Sequence, residues 1–120
     1  MKTILAALCV MMSAPVIAFA DMPEIVKVKV SRIGMDWRFA VTLRHGDTGW
    51  DHFADAWEIV SLDGKVLATR ELMHPHVAEQ PFTRSLTGVM LPDGTRDVLI
   101  RARCSDQGWG EATYRVTLPF

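Results

Sequence analysis

The chain has 120 residues, with 13 basic and 14 acidic side chains and a formal net charge of −1. That balance lacks the basic field that nucleic-acid binding requires, and no run of like charges marks a disordered tail or a membrane-surface patch. The length suits one domain with a real core and is too short for two.

Residues 1–20, MKTILAALCVMMSAPVIAFA, read as a secretory signal peptide. Lys2 supplies a positive n-region, Ile4 to Met12 are uninterruptedly apolar, and Ala18-Phe19-Ala20 places small residues at positions −3 and −1 of a cleavage site before Asp21. The apolar run is too short to span a bilayer as a stable helix. Cys9 does not suit lipid attachment, because Leu8 precedes it where such a site takes a small residue. The expectation is therefore a soluble domain over residues 21–120, periplasmic or secreted, with no membrane insertion after cleavage. Loss of the leader removes Lys2 and leaves 12 basic against 14 acidic groups. It also removes Cys9, so Cys104 stands alone and no intramolecular disulfide can form. The hydrophobic core must then hold the fold without a covalent staple.

The dominant period from there on is two. Val26, Val28 and Val30 alternate with Lys27, Lys29 and Ser31; after a turn at Gly34-Met35, Trp37, Phe39, Val41 and Leu43 alternate with Arg38, Ala40, Thr42 and Arg44. This is the pattern of a sheet with one wet face. Ala56 to Leu62 predicts a third strand, and Asp63-Gly64 a tight hairpin into Lys65 to Leu72. Thr83 to Leu91 predicts a fifth strand, closed by Pro92-Asp93-Gly94. Val98 to Cys104 and Ala112 to Leu118 form a last pair, joined by the glycine-rich loop 105–110. The lone Cys104 offers a ligand or redox thiol, but it continues the apolar series Val98, Ile100, Ala102, which favours a buried, inert residue. Seven short strands without a sustained helical period predict an all-β fold, an immunoglobulin- or fibronectin-III-like antiparallel sandwich with Trp57 buried in its third strand. Alternation alone leaves a small closed β-barrel as the alternative.

The chemistry-bearing residues cluster in the loops. His74-Pro75-His76 lies between the fourth and fifth strands, and Pro75 biases His74 towards extended backbone, which puts both imidazoles on one face. A third ligand from His52, Met73 or Glu79 would complete a transition-metal site. A thioether there favours copper and a carboxylate favours zinc. The other reading is an exposed crossover whose histidines bond the loop backbone. Trp50-Asp51-His52-Phe53-Ala54-Asp55 is a second aromatic and acidic loop, and a bidentate pair from Arg84 to Asp51 or Asp55 would lock it to the first. Trp109, between two glycines, is the candidate for an exposed aromatic contact or a lid over one end of the core. No nucleophile has a base beside it, and no carboxylate pair signals acid and base roles, so the expectation is a non-catalytic protein.

The strings DHFADAWEIV, LDGKVL, RELMHPHVAEQPFTRSL and VLIRARCSDQGWG resemble a family of small secreted proteobacterial proteins with an HPHxxEQPFTRS motif, over roughly residues 50–118. The resemblance implies export and one domain, and it implies no activity, since none is assigned to that family. Where the family has a Gly-Tyr-Gly-Gly-like turn, this chain has Gly108-Trp109-Gly110-Glu111. Together these readings predict an exported binding module that takes copper or zinc through His74, His76 and His52. The alternative is a protein-interaction domain in which the histidine loop and Trp109 form the edge that meets a partner.

Overall fold

The computed structural model describes residues 22–119, so the expected leader over 1–20 lies outside the described residues. The alternating apolar series form strands as the period-two reading requires. β1 (Glu24–Ile33) and β2 (Asp36–Arg44) make a hairpin that turns at Gly34, where φ is 62° and a side chain would be strained. β3 (Ala54–Val60) turns through Asp63-Gly64 into β4 (Val66–Glu71), with the Ser61 N–H donating to the Lys65 carbonyl at 2.8 Å. β5 (Phe82–Val89), β6 (Asp97–Cys104), a two-residue β7 (Gly108–Trp109) and β8 (Tyr114–Thr117) complete the fold.

Every ladder is antiparallel. β1, β2 and β5 form one sheet in that order. The second sheet runs β4-β3-β6, and β7 and β8 both pair with β6, β7 at Arg103 and Cys104 and β8 from Asp97 to Ile100. No ladder joins the two sheets among the described residues, so the chain forms a β-sandwich and not the closed barrel kept as the alternative. The inward series of both sheets meet in one core: Trp37, Phe39, Val41 and Leu43 from β2, Trp57 and Ile59 from β3, Val98, Ile100 and Ala102 from β6. Trp57 is fully buried, as its place on the third strand predicted. No helix of the described residues is long and apolar enough to cross a membrane.

β3 departs from the one-wet-face pattern. Its outward-facing Glu58 is only 3% exposed, although its neighbours Trp57 and Ile59 fill the core on the other side. The cause is a charged and aromatic roof. Arg101 pairs with Glu58, Arg103 Nε lies 2.8 Å from Asp55 Oδ1, and both guanidiniums sit over the Trp109 ring at 5.3 and 5.1 Å. Trp109 is therefore a half-buried part of that roof and not a lid over one end of the core.

The sandwich leaves two strand edges facing across one seam. β5 borders the first sheet and β4 the second, and residues 72–81 cross between them. Arg70 is the register partner of Trp57 and Arg84 that of Val41, so each arginine springs from the inward face of an edge strand. That placement governs what lines the seam.

Candidate metal centre

β2 ends at Arg44, and the next inward position in its series is His45, which is 3% exposed. The chain then folds back on itself: Asp47 N–H donates to His45 O at 2.9 Å, and Thr48 N–H to His52 O at 3.0 Å. This compact loop buries the Asp47 side chain completely. A buried carboxylate must have its oxygens satisfied, and three groups do so. Ala54 N–H donates to Oδ1 at 3.0 Å, His76 N–H to Oδ2 at 2.7 Å, and His45 Nδ1 lies 2.5 Å from Oδ1. Asp47 thus ties the exit of β2, the start of β3 and the His-Pro-His crossover into one unit. Gln80 adds a second tie, accepting from His45 N–H at 3.0 Å and donating to His76 O at 2.9 Å.

At this same end β6 finishes on Cys104, the register partner of Ala54. The neighbouring backbone is doubly fixed, with Ser105 N–H donating to Phe53 O at 2.9 Å and Phe53 N–H to Ser105 Oγ at 3.0 Å. His45, His52 and Cys104 consequently present ligand atoms that all lie within 4.8 Å of one another. The two imidazole centroids are 4.8 Å apart, and Cys104 Sγ is 3.6 Å from His52 Nδ1. Asp106 stands beside them. Its Oδ1 is 2.9 Å from the Cys104 sulfur, and both carboxylate oxygens are 3.0 Å from His52 Nδ1.

The spacing has a direct chemical meaning. Zinc–sulfur and zinc–nitrogen bonds of about 2.3 and 2.05 Å at a tetrahedral angle put sulfur and nitrogen about 3.6 Å apart. The Cys104–His52 separation equals that edge. His45 is held through Nδ1 by a buried carboxylate, an arrangement that would fix the tautomer and ring orientation of a metal-ligating imidazole and leave Nε2 as its ligand atom. Asp106 sits nearer the sulfur than a tetrahedral edge requires, because the Cys104 thiol donates a hydrogen bond to it. Burial first and that bond second push the thiol pKa up, while the same bond and His52 hold the Asp106 carboxyl below its usual range. A metal would replace the shared proton.

The expected trio of His52, His74 and His76 is divided between two clusters. His52 joins His45 and Cys104. His74 and His76 remain neighbours, with ring centroids 4.5 Å apart, but His76 is stacked on Phe82 at 3.8 Å and its Nε2 accepts from Arg84 Nη2 at 2.9 Å. His74 Nδ1 donates to Pro75 O at 3.0 Å. The exposed Glu79 is not in the group of His45, His52 and Cys104, and Met73 is 71% exposed beside His74. The expected pairing of Arg84 with Asp51 or Asp55 is not formed: Asp55 is taken by Arg103, and Arg84 turns into the seam towards His76. Asp51 stays exposed, as does Trp50, which meets Phe53 edge-on at 5.7 Å.

The buried His76 carries a pH consequence. Burial, then Arg84, then His74 lower its pKa below the usual histidine value. The unfolded chain therefore takes up this proton first. The contribution to stability is whole above about pH 6.5, declines as the pH falls below that value, and stops declining once the folded-state pKa is passed. Urea midpoints at pH 8 and pH 5 should fall further in the wild type than in His76→Gln. The other titrating groups are common to both proteins, so the difference reports His76 together with its coupling to His74.

No protein-family model matches the chain, and no solved structure matches it. It is similar to a protein of Halomicrobium mukohataei named "Putative lipoprotein", at 44% identity over 72 residues. The match covers 60% of this chain and 35% of that protein, so the chain spans about a third of its relative's length.

Proposed function

We propose that the protein is an exported, non-catalytic metal-binding module whose ligands are His45, His52 and Cys104, completed by Asp106. The observation that carries this reading is the convergence of one thiol and two imidazoles within 4.8 Å at the end of a rigid sandwich. Two imidazoles, a thiolate and a carboxylate suit zinc; a two-histidine, one-cysteine set with a weak fourth contact also suits copper. The hard carboxylate of Asp106, in place of a thioether, favours zinc. We read the strand order, β1-β2-β5 facing β4-β3-β6-β8, as a fibronectin-III-like arrangement of the sandwich. Export is supported by the leader pattern of residues 1–20 and by the lipoprotein name of the relative.

The test is titration of the purified protein with zinc and with copper. His52→Ala should weaken binding by more than the roughly 10–100-fold that loss of an outer-shell partner costs. The His74→Ala/His76→Ala double variant should bind as the wild type does. The reverse pattern would return the ligand role to the His-Pro-His segment, and a wild type that binds neither metal would end the proposal. A second reading draws on exposed apolar groups on the two loops that Asp47 joins. Trp50 is 70%, Met73 71% and Val77 60% exposed, which suits an edge that meets a protein partner.

A further inference from the structure

We propose that the seam between β4 and β5 is a second site, distinct from the metal centre, that binds a small oxyanion through Arg70 and Arg84. The two edge strands direct one arginine each into the space between the sheets, since their register partners Trp57 and Val41 are core residues at 0% and 1% exposure. Between them lies a cavity of about 120 Å³ lined by Arg70, Leu72, Met73, His74, His76 and Arg84. No carboxylate lines it.

Arg44, Arg101, Arg103 and Arg115 each lie in an ion pair with Glu or Asp. Among the described residues Arg70 and Arg84 lie in none. Arg32 and Arg38 also lie in no ion pair, bonding Gly34 O and Ser85 Oγ, but among the described residues it is Arg70 and Arg84 that line one cavity together. Arg70 Nε donates to Ser85 O at 2.9 Å and its Nη1 to Glu71 O; Arg84 Nη1 donates to Thr83 O at 2.7 Å. The remaining Arg84 bond goes to the His76 ring nitrogen, which must be unprotonated to accept it. Two guanidiniums are thus fixed in place by carbonyls and an imidazole at the mouth of the seam, and no carboxylate lines the cavity between them, Asp47 lying behind the His76 ring at 3.9 Å from its Nδ1. Both arginines are half-exposed, and an anion in the cavity would offset the cost of the part of each charge that the seam shields from water. Guanidinium forks suit carboxylate, phosphate and sulfate groups alike. The cavity is far below the roughly 300–1,000 Å³ of a site for a drug-sized molecule, so the ligand is a single oxyanion group.

Charges pointing inward from edge strands also deter sheet-to-sheet aggregation. That role needs no convergence on one cavity and no imidazole neighbours, and the experiment separates the two. Phosphate, sulfate and acetate are titrated into the full protein with a chelator present, so that the outcome does not depend on whether the metal centre exists. Ionic strength is held constant with sodium chloride. Side-chain NMR signals of Arg70, Arg84, His74 and His76 are followed against those of His45 and His52. Saturable shifts confined to the first group support the site, and the anion that saturates best assigns it to a tetrahedral or a planar ligand. Arg70→Gln and Arg84→Gln should each weaken binding about tenfold, the loss of one charged hydrogen bond, while Arg44→Gln leaves it unchanged. Circular dichroism confirms that each variant is folded; if one is not, the other carries the test. Shifts that never saturate, that chloride reproduces, or that persist in the two glutamine variants would leave the arginines as edge guards alone.

Discussion

Asp47→Ala is expected to lower the stability of the protein by about 3–5 kcal/mol, a large effect for a single loop residue. The side chain is fully buried and accepts from Ala54 N–H and His76 N–H, with His45 Nδ1 at 2.5 Å. Alanine would strand two backbone donors and an imidazole where water has poor access, and each stranded group costs about 1–3 kcal/mol. The loss is not local, because the three donors belong to the end of β2, the start of β3 and the crossover to β5. For a domain of this size the change corresponds to a fall in melting temperature of at least about 12 °C. Asp47→Asn should cost less, since its one carbonyl oxygen still serves part of the set. Both variants should also bind metal more weakly, by roughly 10–100-fold, because His45 would no longer be held in one orientation. Urea unfolding and metal titration of the same samples check the two effects together. A stability loss under about 1 kcal/mol would mean that the loops rearrange to satisfy the stranded donors another way.

Residue alternation carried a great deal of this fold. The inward series of β2 and β6 can be read from the chain, and so can Trp57 in the core and the turn at Asp63-Gly64. The double burial of β3 could not be read, because it depends on Arg101, Arg103 and Trp109, which pair across strands far apart in sequence. The metal cluster lay half in view. His45 is the next odd position after Trp37, Phe39, Val41 and Leu43, and Cys104 ends Val98, Ile100 and Ala102. A polar or reactive residue closing each of two inward series, on strands of the two facing sheets, is the signal that points to the pair. An apolar strand series points to burial of Cys104 and is silent on the imidazoles that meet it from distant loops, which give the buried thiol its chemistry. Asp47 gave less warning still. In Gly46-Asp47-Thr48-Gly49 it looks like an ordinary turn residue, and only the arrival of the crossover, 29 positions away at His76, makes it central. Local pattern fixes which face a side chain takes, but it does not reveal which distant loop will close over it.

The largest expected effect of the metal centre is on stability itself. A ligand that binds only the folded chain stabilises it by about 4 kcal/mol when present at a thousandfold excess over its dissociation constant. Zinc at that level should raise the unfolding free energy of the wild type by that amount, and in Cys104→Ser the increment should nearly vanish. Serine at a fully buried position carries a cost of its own, so the quantity to compare is the zinc-dependent gain within each variant and not the absolute stability. Asp106→Asn should keep part of the gain, because His45, His52 and the Cys104 thiolate remain to hold the ion. His74→Ala should keep all of it. The gain should also grow as the pH rises, since burial and the bond to Asp106 keep the thiol protonated and binding must expel that proton. Equal zinc-dependent gains in the wild type and Cys104→Ser would remove the thiol from the ligand set. The two imidazoles and the carboxylate would then be the most the centre could offer, which is a site for zinc without sulfur and a poor one for cuprous copper.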